Sequence, residues 1–128
     1  YVPNLEQALS RSDIITLHMN LTRANPRFIN RRTLPHCKRG VFIVNASRGG
    51  LVDEHDLAYA LRQGQVAGYA ADVLDSEPVF SNCPLLGMYN VVLTPHIGSR
   101  TREGVERQGL AAVENVIQAL SAPTQTAA

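Results

Sequence analysis

Three residues have the types that acid–base chemistry on a carboxylate-bearing substrate requires: Arg48, Glu77 and His96. Arg48 lies in the glycine-rich stretch 45–50, and a guanidinium held there is suited to grip a carboxylate through two parallel hydrogen bonds. A carboxylate such as Glu77 beside an imidazole fixes its tautomer, which makes His96 a candidate general acid near neutral pH. The alternatives are an arginine that only ties down a loop and a histidine that is simply a surface residue.

Other reactive residue types lack the surroundings that their chemistry needs. Ser47 has no Gly-x-Ser-x-Gly elbow around it, which argues against a serine hydrolase. Cys37 and Cys83 form no Cys-x-x-Cys pattern, and the other histidines have no short metal-ligand spacing, so we expect no zinc site. Those histidines are His18, His36 and His55.

The composition indicates one small folded domain. A chain of 128 residues, 45% of them hydrophobic, can bury one core, and two cysteines cannot form a disulfide framework. The formal net charge of +1 lacks the footprint of a nucleic-acid or anionic-membrane binder, and no apolar stretch approaches the ~18 residues of a membrane span. We therefore expect a soluble, reduced, cytoplasmic protein without nucleic-acid or membrane partners.

One basic run stands out from this low overall charge. It contains no acidic residue, and only Phe28 offers an aromatic platform within it. We interpret the run as a solvated helix face rather than a nucleic-acid site. Its members are Arg23, Arg27, Arg31, Arg32, Lys38 and Arg39.

Hydrophobic periodicity predicts four helices that alternate with four apolar strands. Asp53 can cap the third helix, whose first turn also holds Glu54 and Asp56, where carboxylates suit the helix dipole. The predicted helices cover residues from about 5 to 10, 25 to 37, 53 to 64 and 101 to 123. The predicted strands are 14–17, 41–44, 66–71 and 91–93, and a frayed tail is expected over 121–128.

Continuous apolar strands between helices are typical of an α/β fold, in which a parallel sheet is covered by helices on both faces. Such sheets bind ligands beyond the carboxyl ends of their strands. Polar residues follow every predicted strand at that edge: His18, then 45–50, 72–77 and 94–98. The topology thus predicts that Arg48, Glu77 and His96 lie at one edge of the sheet.

Three motifs in these loops resemble those of the D-isomer-specific 2-hydroxyacid dehydrogenases. They are Asn45-Ala46-Ser47-Arg48-Gly49-Gly50-Leu51-Val52-Asp53-Glu54, Gly68-Tyr69-Ala70-Ala71-Asp72-Val73 with Glu77-Pro78, and Thr94-Pro95-His96-Ile97-Gly98. The similarity extends from about Leu5 to Leu120, and the order of the motifs matches the family. It implies a Rossmann-like nucleotide-binding fold.

The resemblance implies a role for each matching residue. Arg48 corresponds to the residue that binds the substrate carboxylate and carbonyl, His96 to the acid/base and Glu77 to its partner. The implied reaction is reversible hydride transfer between nicotinamide C4 and C2 of a small 2-hydroxy or 2-oxo acid. Glu77 distinguishes the chain from formate dehydrogenases, in which glutamine takes that place.

The resemblance also implies contacts to NAD or NADP. Asp72 matches the position that meets the nicotinamide carboxamide, and other positions match the wall around the nicotinamide ribose and ring. The implied cofactor-binding residues are Met19, Ala46, Ser47, Arg48, Asp72, His96, Ile97, Gly98 and Ser99.

The sequence departs from the family pattern in several places, among them the less usual Tyr69 and Gly87-Met88-Tyr89. His18-Met19-Asn20 stands where the family shows His-x-Pro, and no Gly-x-Gly-x-x-Gly follows any predicted strand. We therefore interpret residues 1–120 as the second half of the nucleotide-binding domain, and expect the isolated chain to have weak activity or none. The strand 14–17 would normally pair with the other half of that domain, so its exposed edge should recruit a partner or be covered by a chain terminus, and we expect a homodimer.

Two alternatives stay open at the level of sequence. A non-catalytic, dinucleotide-sensing module similar to the corepressors of this fold can keep the same arginine, glutamate and histidine. A nucleic-acid module built on the basic run is less favoured, and steeply salt-dependent DNA binding would be the observation that supports it. The sequence identifies neither which 2-hydroxy acid is the substrate nor whether the cofactor is NAD or NADP.

Overall fold

The computed structural model describes residues 2–121, and helices alternate with strands along most of that length. The helices are α1 (Leu5–Arg11), α2 (Glu54–Arg62) and α3 (Arg102–Ser121). The strands are β1 (Ile14–Leu17), β2 (Val41–Asn45), β3 (Val66–Ala71) and β4 (Val91–Leu93). Two short 3₁₀ helices, Leu34–His36 and Gly49–Leu51, lie in the connections. By its contacts the chain divides into two compact units, residues 1–96 and 97–128.

The first unit contains the whole sheet. Its four strands are parallel and follow the order β1-β2-β3-β4, so β1 and β4 are the edges. This confirms the predicted α/β fold class, and each predicted strand is present, with β2 one residue longer than expected. The predicted edge position of the first strand is also confirmed.

The register of the strands separates two faces of the sheet. Ile43 and Tyr69 are register partners, and both are buried in the core to which α2 contributes Leu57 and Leu61. On the opposite face Ile14, Phe42 and Val92 are exposed by 65%, 52% and 64%. The sequence predicts helical cover on both faces, and within residues 2–96 the helices cover one.

The predicted second helix is wrong over most of its length, because 25–37 consists of turns with a single 3₁₀ turn at its end. Ile29 instead pairs with Val52 in an isolated parallel bridge. The Asn30 side chain accepts hydrogen bonds from the backbone N–H groups of Arg32 and Thr33 at 2.7 and 3.3 Å. Such local bonds compete with the helical pattern that the apolar spacing suggested.

The basic run therefore does not lie on a helix face. Arg27 forms an ion pair with Asp53 at 2.8 Å, and Lys38 forms one with Asp13. Arg39 donates from Nη2 to the Gln63 carbonyl at 3.2 Å. Half of the run's cations thus bind other parts of the same chain.

In the second unit the structure describes the helix α3, which begins at Arg102, one residue after the predicted start. The Gly104 N–H donates to Thr101 Oγ1 at 3.1 Å, a capping contact at the start of the helix. Ser121 is its last described residue, so the rest of the predicted tail lies outside the described part of the chain.

Asp53 caps α2 as predicted and gives a test of the fold. Its Oδ1 accepts the Asp56 N–H at 3.1 Å, while its Oδ2 accepts from Arg27. We expect Asp53→Ala to lower the free energy of unfolding of the full-length protein by about 1–2 kcal/mol, because the cap is lost. Asp53→Asn keeps a capping oxygen and loses only the ion pair, which should cost less than about 1 kcal/mol. Equal losses in urea unfolding would contradict this.

The same residue sets a pH dependence. Burial raises the pKa of Asp53, but the Asp56 N–H and the Arg27 charge outweigh it and hold the pKa below the ordinary 3.8. The stabilisation is therefore present above the pKa of the unfolded chain and is lost as the pH falls through the folded pKa. The difference between wild type and Asp53→Asn should shrink in urea unfolding below about pH 4.

Candidate active site

One row of residues across the sheet defines the site. Leu17 is in register with Asn45, Asn45 with Ala71, and Ala71 with Leu93, so all four strands end at the same level. The next residues along the chain are His18, Ala46, Asp72 and Thr94. The predicted meeting of polar loops at the carboxyl edge of the sheet is thus confirmed.

Glu77 and His96 are brought together, as their positions suggested. His96 Nδ1 lies 2.7 Å from Glu77 Oε2, and Glu77 Oε1 accepts the Leu74 N–H at 3.0 Å. Glu77 is thereby fixed at both oxygens. With Nδ1 directed at the carboxylate, Nε2 is the ring nitrogen that can exchange a proton with a ligand.

Within the Glu77–His96 pair, the Glu77 carboxyl group carries a negative charge. The hydrogen bond with His96 and the Leu74 N–H hold the pKa of Glu77 below its ordinary value of 4.5, against smaller opposing effects of desolvation and of the Asp72 charge. Glu77 is therefore ionised at neutral pH and favours a proton on the Nδ1 that faces it.

The backbone at His96 is also unusual. Its φ of 54° lies in the left-handed region, and its N–H donates to the Thr94 carbonyl at 3.0 Å. A residue other than glycine in this region carries local strain of a kind that clusters at functional sites.

Asn45 positions the loop that carries Arg48. This side chain is completely buried; its Nδ2 donates to the Arg48 carbonyl at 2.9 Å, and its Oδ1 accepts the Ser47 N–H at 3.1 Å. The Ser47 hydroxyl donates to the Met19 carbonyl at 2.6 Å, which ties the loop to the one after β1. The Arg48 guanidinium donates from Nη1 to the Ser47 carbonyl at 2.7 Å.

Gly49, directly after Arg48, explains why the two loops can approach each other. A Cβ on Gly49 would lie 1.9 Å from the Leu74 carbonyl oxygen, closer than atoms can come. Only glycine therefore allows the stretch after Arg48 to lie against the start of the loop that carries Glu77.

Several residues of the site were missed by sequence reasoning. Asn45 was included in a polar stretch without its own role, although an amide ending an apolar strand indicates a buried hydrogen-bonding position. Tyr69 is buried beside it, and burial raises the pKa of Tyr69 to about 12, against the opposing hydrogen bond to Asn45. Thr94 donates from Oγ1 to Asp72 Oδ1 at 2.5 Å.

The interpretation of Glu54 as a residue that only suits the helix dipole is incomplete. Its Oε1 accepts the Asp75 N–H at 2.9 Å, and its Oε2 lies 3.5 Å from Cys83 Sγ. Glu54 therefore anchors the loop after β3 at two points.

A cavity of about 440 Å³ borders the Glu77–His96 pair. Apart from that pair and Thr94, its walls are aliphatic, so one side of the imidazole faces apolar side chains. The other lining residues are Leu74, Pro78, Val79, Leu86, Leu93 and Pro95.

The predicted cofactor contacts fall in both units. Met19, Ala46, Ser47, Arg48, Asp72 and His96 belong to the first unit, at the carboxyl edge of its sheet. Ile97, Gly98 and Ser99 belong to the second. Within residues 2–121, no group of three or more His, Cys, Asp or Glu side chains could hold a metal ion. No helix in that range is long and apolar enough to cross a membrane.

Comparisons with known proteins show which family the chain resembles. The profile of the family described as "D-isomer specific 2-hydroxyacid dehydrogenase, NAD binding domain" matches residues 1–98. Glyoxylate reductase of Thermofilum pendens is 39% identical over 124 residues, which are 93% of this chain and 37% of that protein. C-terminal-binding protein 1 of Caenorhabditis elegans is 40% identical over 122 residues, 94% of this chain and 17% of that protein.

A solved structure is also similar. The D-isomer specific 2-hydroxyacid dehydrogenase of Lactobacillus delbrueckii ssp. bulgaricus, in its NAD-complexed form, has a TM-score of 0.84 at 25% identity. The match covers 96% of this chain and 42% of that one. The chain thus spans less than half the length of each of these three proteins.

The Glu77–His96 contact gives a test that needs no substrate. We expect His96→Ala to raise the pKa of the Glu77 carboxyl toward 4.5, because its largest stabilising contact is removed. The rise should be partial, since the Leu74 N–H still donates. Carbon-13 NMR of labelled glutamate carboxyls across a pH titration measures this, with His55→Ala as the control. An unchanged Glu77 titration would show that the contact does not form in solution.

Proposed function

Because the chain belongs to the D-isomer specific 2-hydroxyacid dehydrogenase family, we propose that it supplies the catalytic residues of an NAD(P)-dependent oxidoreductase. The reaction is reversible hydride transfer between nicotinamide C4 and C2 of a small 2-hydroxy or 2-oxo acid. The observation that carries the proposal is the 2.7 Å contact between His96 and Glu77 at the same sheet edge as the Arg48 loop.

His96 is the general acid and base in this proposal. In the direction of reduction, Nε2 donates a proton to the substrate oxygen at C2 as the carbonyl becomes a hydroxyl. In oxidation it takes that proton back. Glu77 stays ionised throughout and stabilises the imidazolium, with its own position fixed by the Leu74 N–H.

Arg48 binds the carboxylate of the substrate. Its planar guanidinium can donate two parallel hydrogen bonds, which fixes the orientation of C2 as well as holding the charge. Asn45 holds the Arg48 carbonyl and so sets the point from which the side chain extends. The present contact of Nη1 with the neighbouring Ser47 carbonyl is one that a carboxylate ligand would compete for.

The chemistry of the edge suits a nicotinamide cofactor. Asp72 presents a carboxylate acceptor of the kind that a carboxamide NH₂ needs, and it lies in the row of strand ends next to Ala46. Bound NAD(H) supplies or accepts the hydride. The residues of the chain orient the ring, hold the substrate and move the hydroxyl proton.

We also propose a cytoplasmic protein that forms a homodimer. Cys37 and Cys83 are both free thiols, which suits a reducing compartment. The edge position of β1 leaves one side of that strand outside the four-stranded sheet, where the first half of the nucleotide-binding domain or a second copy of the chain can pair. A net charge of +1 gives no support to nucleic-acid binding.

A second function is favoured by one observation. The relative named C-terminal-binding protein 1 is as similar to this chain as the glyoxylate reductase is. A module that binds a dinucleotide and a protein partner, without turnover, is therefore the alternative. The role of His96 separates the two functions.

His96→Ala should lower kcat/KM with NADH and glyoxylate, pyruvate or hydroxypyruvate by about 10²- to 10⁴-fold, because the proton donor is lost. The affinity for NADH should change little. Steady-state kinetics and a binding titration of the full-length protein measure both, with exposed His55→Ala as the matched control. Turnover by the variant at the wild-type rate would contradict the assignment, and absence of turnover by the wild type would favour the binding module.

Arg48→Lys should raise KM for the 2-oxo acid about tenfold or more, because the charge stays but the two-point grip is lost. The dissociation constant for NADH should change much less than KM, because Arg48 binds the substrate carboxylate directly and is only one of several residues in the wall around the nicotinamide ribose and ring. Arg62→Lys, a surface change on α2, serves as the control. If KM were unchanged, Arg48 would be a residue that only ties down its loop.

A further inference from the structure

Thr94 lies next to Asp72 at the ends of two neighbouring strands. Ala71 and Leu93 are register partners, so Asp72 and Thr94 leave β3 and β4 at the same level. The Thr94 N–H donates to the Ala71 carbonyl at 2.9 Å, and its Oγ1 donates to Asp72 Oδ1 at 2.5 Å. One residue thus makes both a backbone contact and a side-chain contact with the end of β3.

The backbone of Asp72 is fixed independently. Its N–H donates to the Asn45 carbonyl at 3.1 Å, which continues the sheet pattern by one residue. That backbone bond does not fix the side-chain torsions of Asp72. The Thr94 hydroxyl restrains those torsions, because it donates a hydrogen bond directly to one carboxylate oxygen.

Threonine is well suited to such a contact. Its β-branch restricts χ1, so the hydroxyl is held in place with little loss of side-chain entropy. A hydrogen bond to an ionised carboxylate is stronger than one between neutral groups. The contact therefore restrains the carboxylate more than a flexible or neutral partner would.

We propose that Thr94 is a positioning residue that holds the Asp72 carboxylate in the orientation in which it accepts a hydrogen bond from the nicotinamide carboxamide. The inference rests on the proposed function, since it takes Asp72 as the carboxamide acceptor. Thr94 itself acts through Asp72. The competing explanation is that Thr94 only ends β4, a role that its backbone N–H already performs.

The test uses the difference between two cofactors in the full-length protein. In the reduced 3-acetylpyridine analogue of NADH, a methyl group replaces the carboxamide NH₂, so the analogue offers no N–H to the Asp72 carboxylate. Thr94→Val removes the hydroxyl and keeps the branched shape and the backbone contact. Thr94→Ser keeps a hydroxyl and serves as the matched variant.

We expect Thr94→Val to weaken NADH binding about tenfold in a fluorescence titration, the scale of one hydrogen bond to a charged group. The affinity for the analogue should change by less than about twofold, and Thr94→Ser should bind NADH much as wild type does. In an Asp72→Ala background the valine substitution should have no further effect on NADH binding.

Equal weakening of both cofactors by Thr94→Val would overturn the inference, because a purely structural role affects them alike. An unchanged NADH affinity would overturn it as well. Wild-type protein that bound neither cofactor would instead refute the proposed function on which the inference rests. A selective loss with NADH that Thr94→Ser restores is the result that supports it.

Discussion

The alignment of the four strand ends is the constraint on which the rest of the site depends. In a parallel sheet every strand points the same way, so residues that follow register partners must emerge at one edge. Here Asn45, Ala71 and Leu93 form such a row. Arg48, Glu77 and His96 are distant in sequence, yet each is within six residues of a strand end. A one-residue slip of any strand would reverse its faces and remove this arrangement.

Hydrogen bonds from side chains to backbone atoms then fix the loops that follow the strands. Asn45 is a fully buried polar residue, and burying an amide is costly unless its groups are paired. Its hydrogen bonds with the Ser47 N–H and the Arg48 carbonyl offset that cost, and the tight turn after β2 brings these two backbone groups to it. Glu54, which is only partly buried, also holds the loop after β3, through a hydrogen bond from the Asp75 N–H. The loops are held by polar groups whose partners are backbone atoms.

Sequence patterns predicted the parts of the molecule that depend on periodicity. The apolar runs at 14–17, 66–71 and 91–93 coincide with strands, and Asp53 caps its helix as expected. The helix predicted over 25–37 does not form, because the side chains of Asn30 and Thr33 make local hydrogen bonds to the backbone that apolar spacing does not reveal. The Thr94–Asp72 contact was missed for a similar reason, since it joins residues 22 positions apart and depends on register.

The exposure of the Glu77–His96 pair indicates what the pair is for. The side chains are 40% and 51% exposed, and ion pairs that water reaches contribute little to stability. His96 nevertheless adopts a left-handed backbone conformation, which costs free energy rather than providing it. A contact that adds little stability and requires strain is poorly explained by folding. It is well explained if an ionised Glu77 must hold Nδ1 so that Nε2 can exchange a proton.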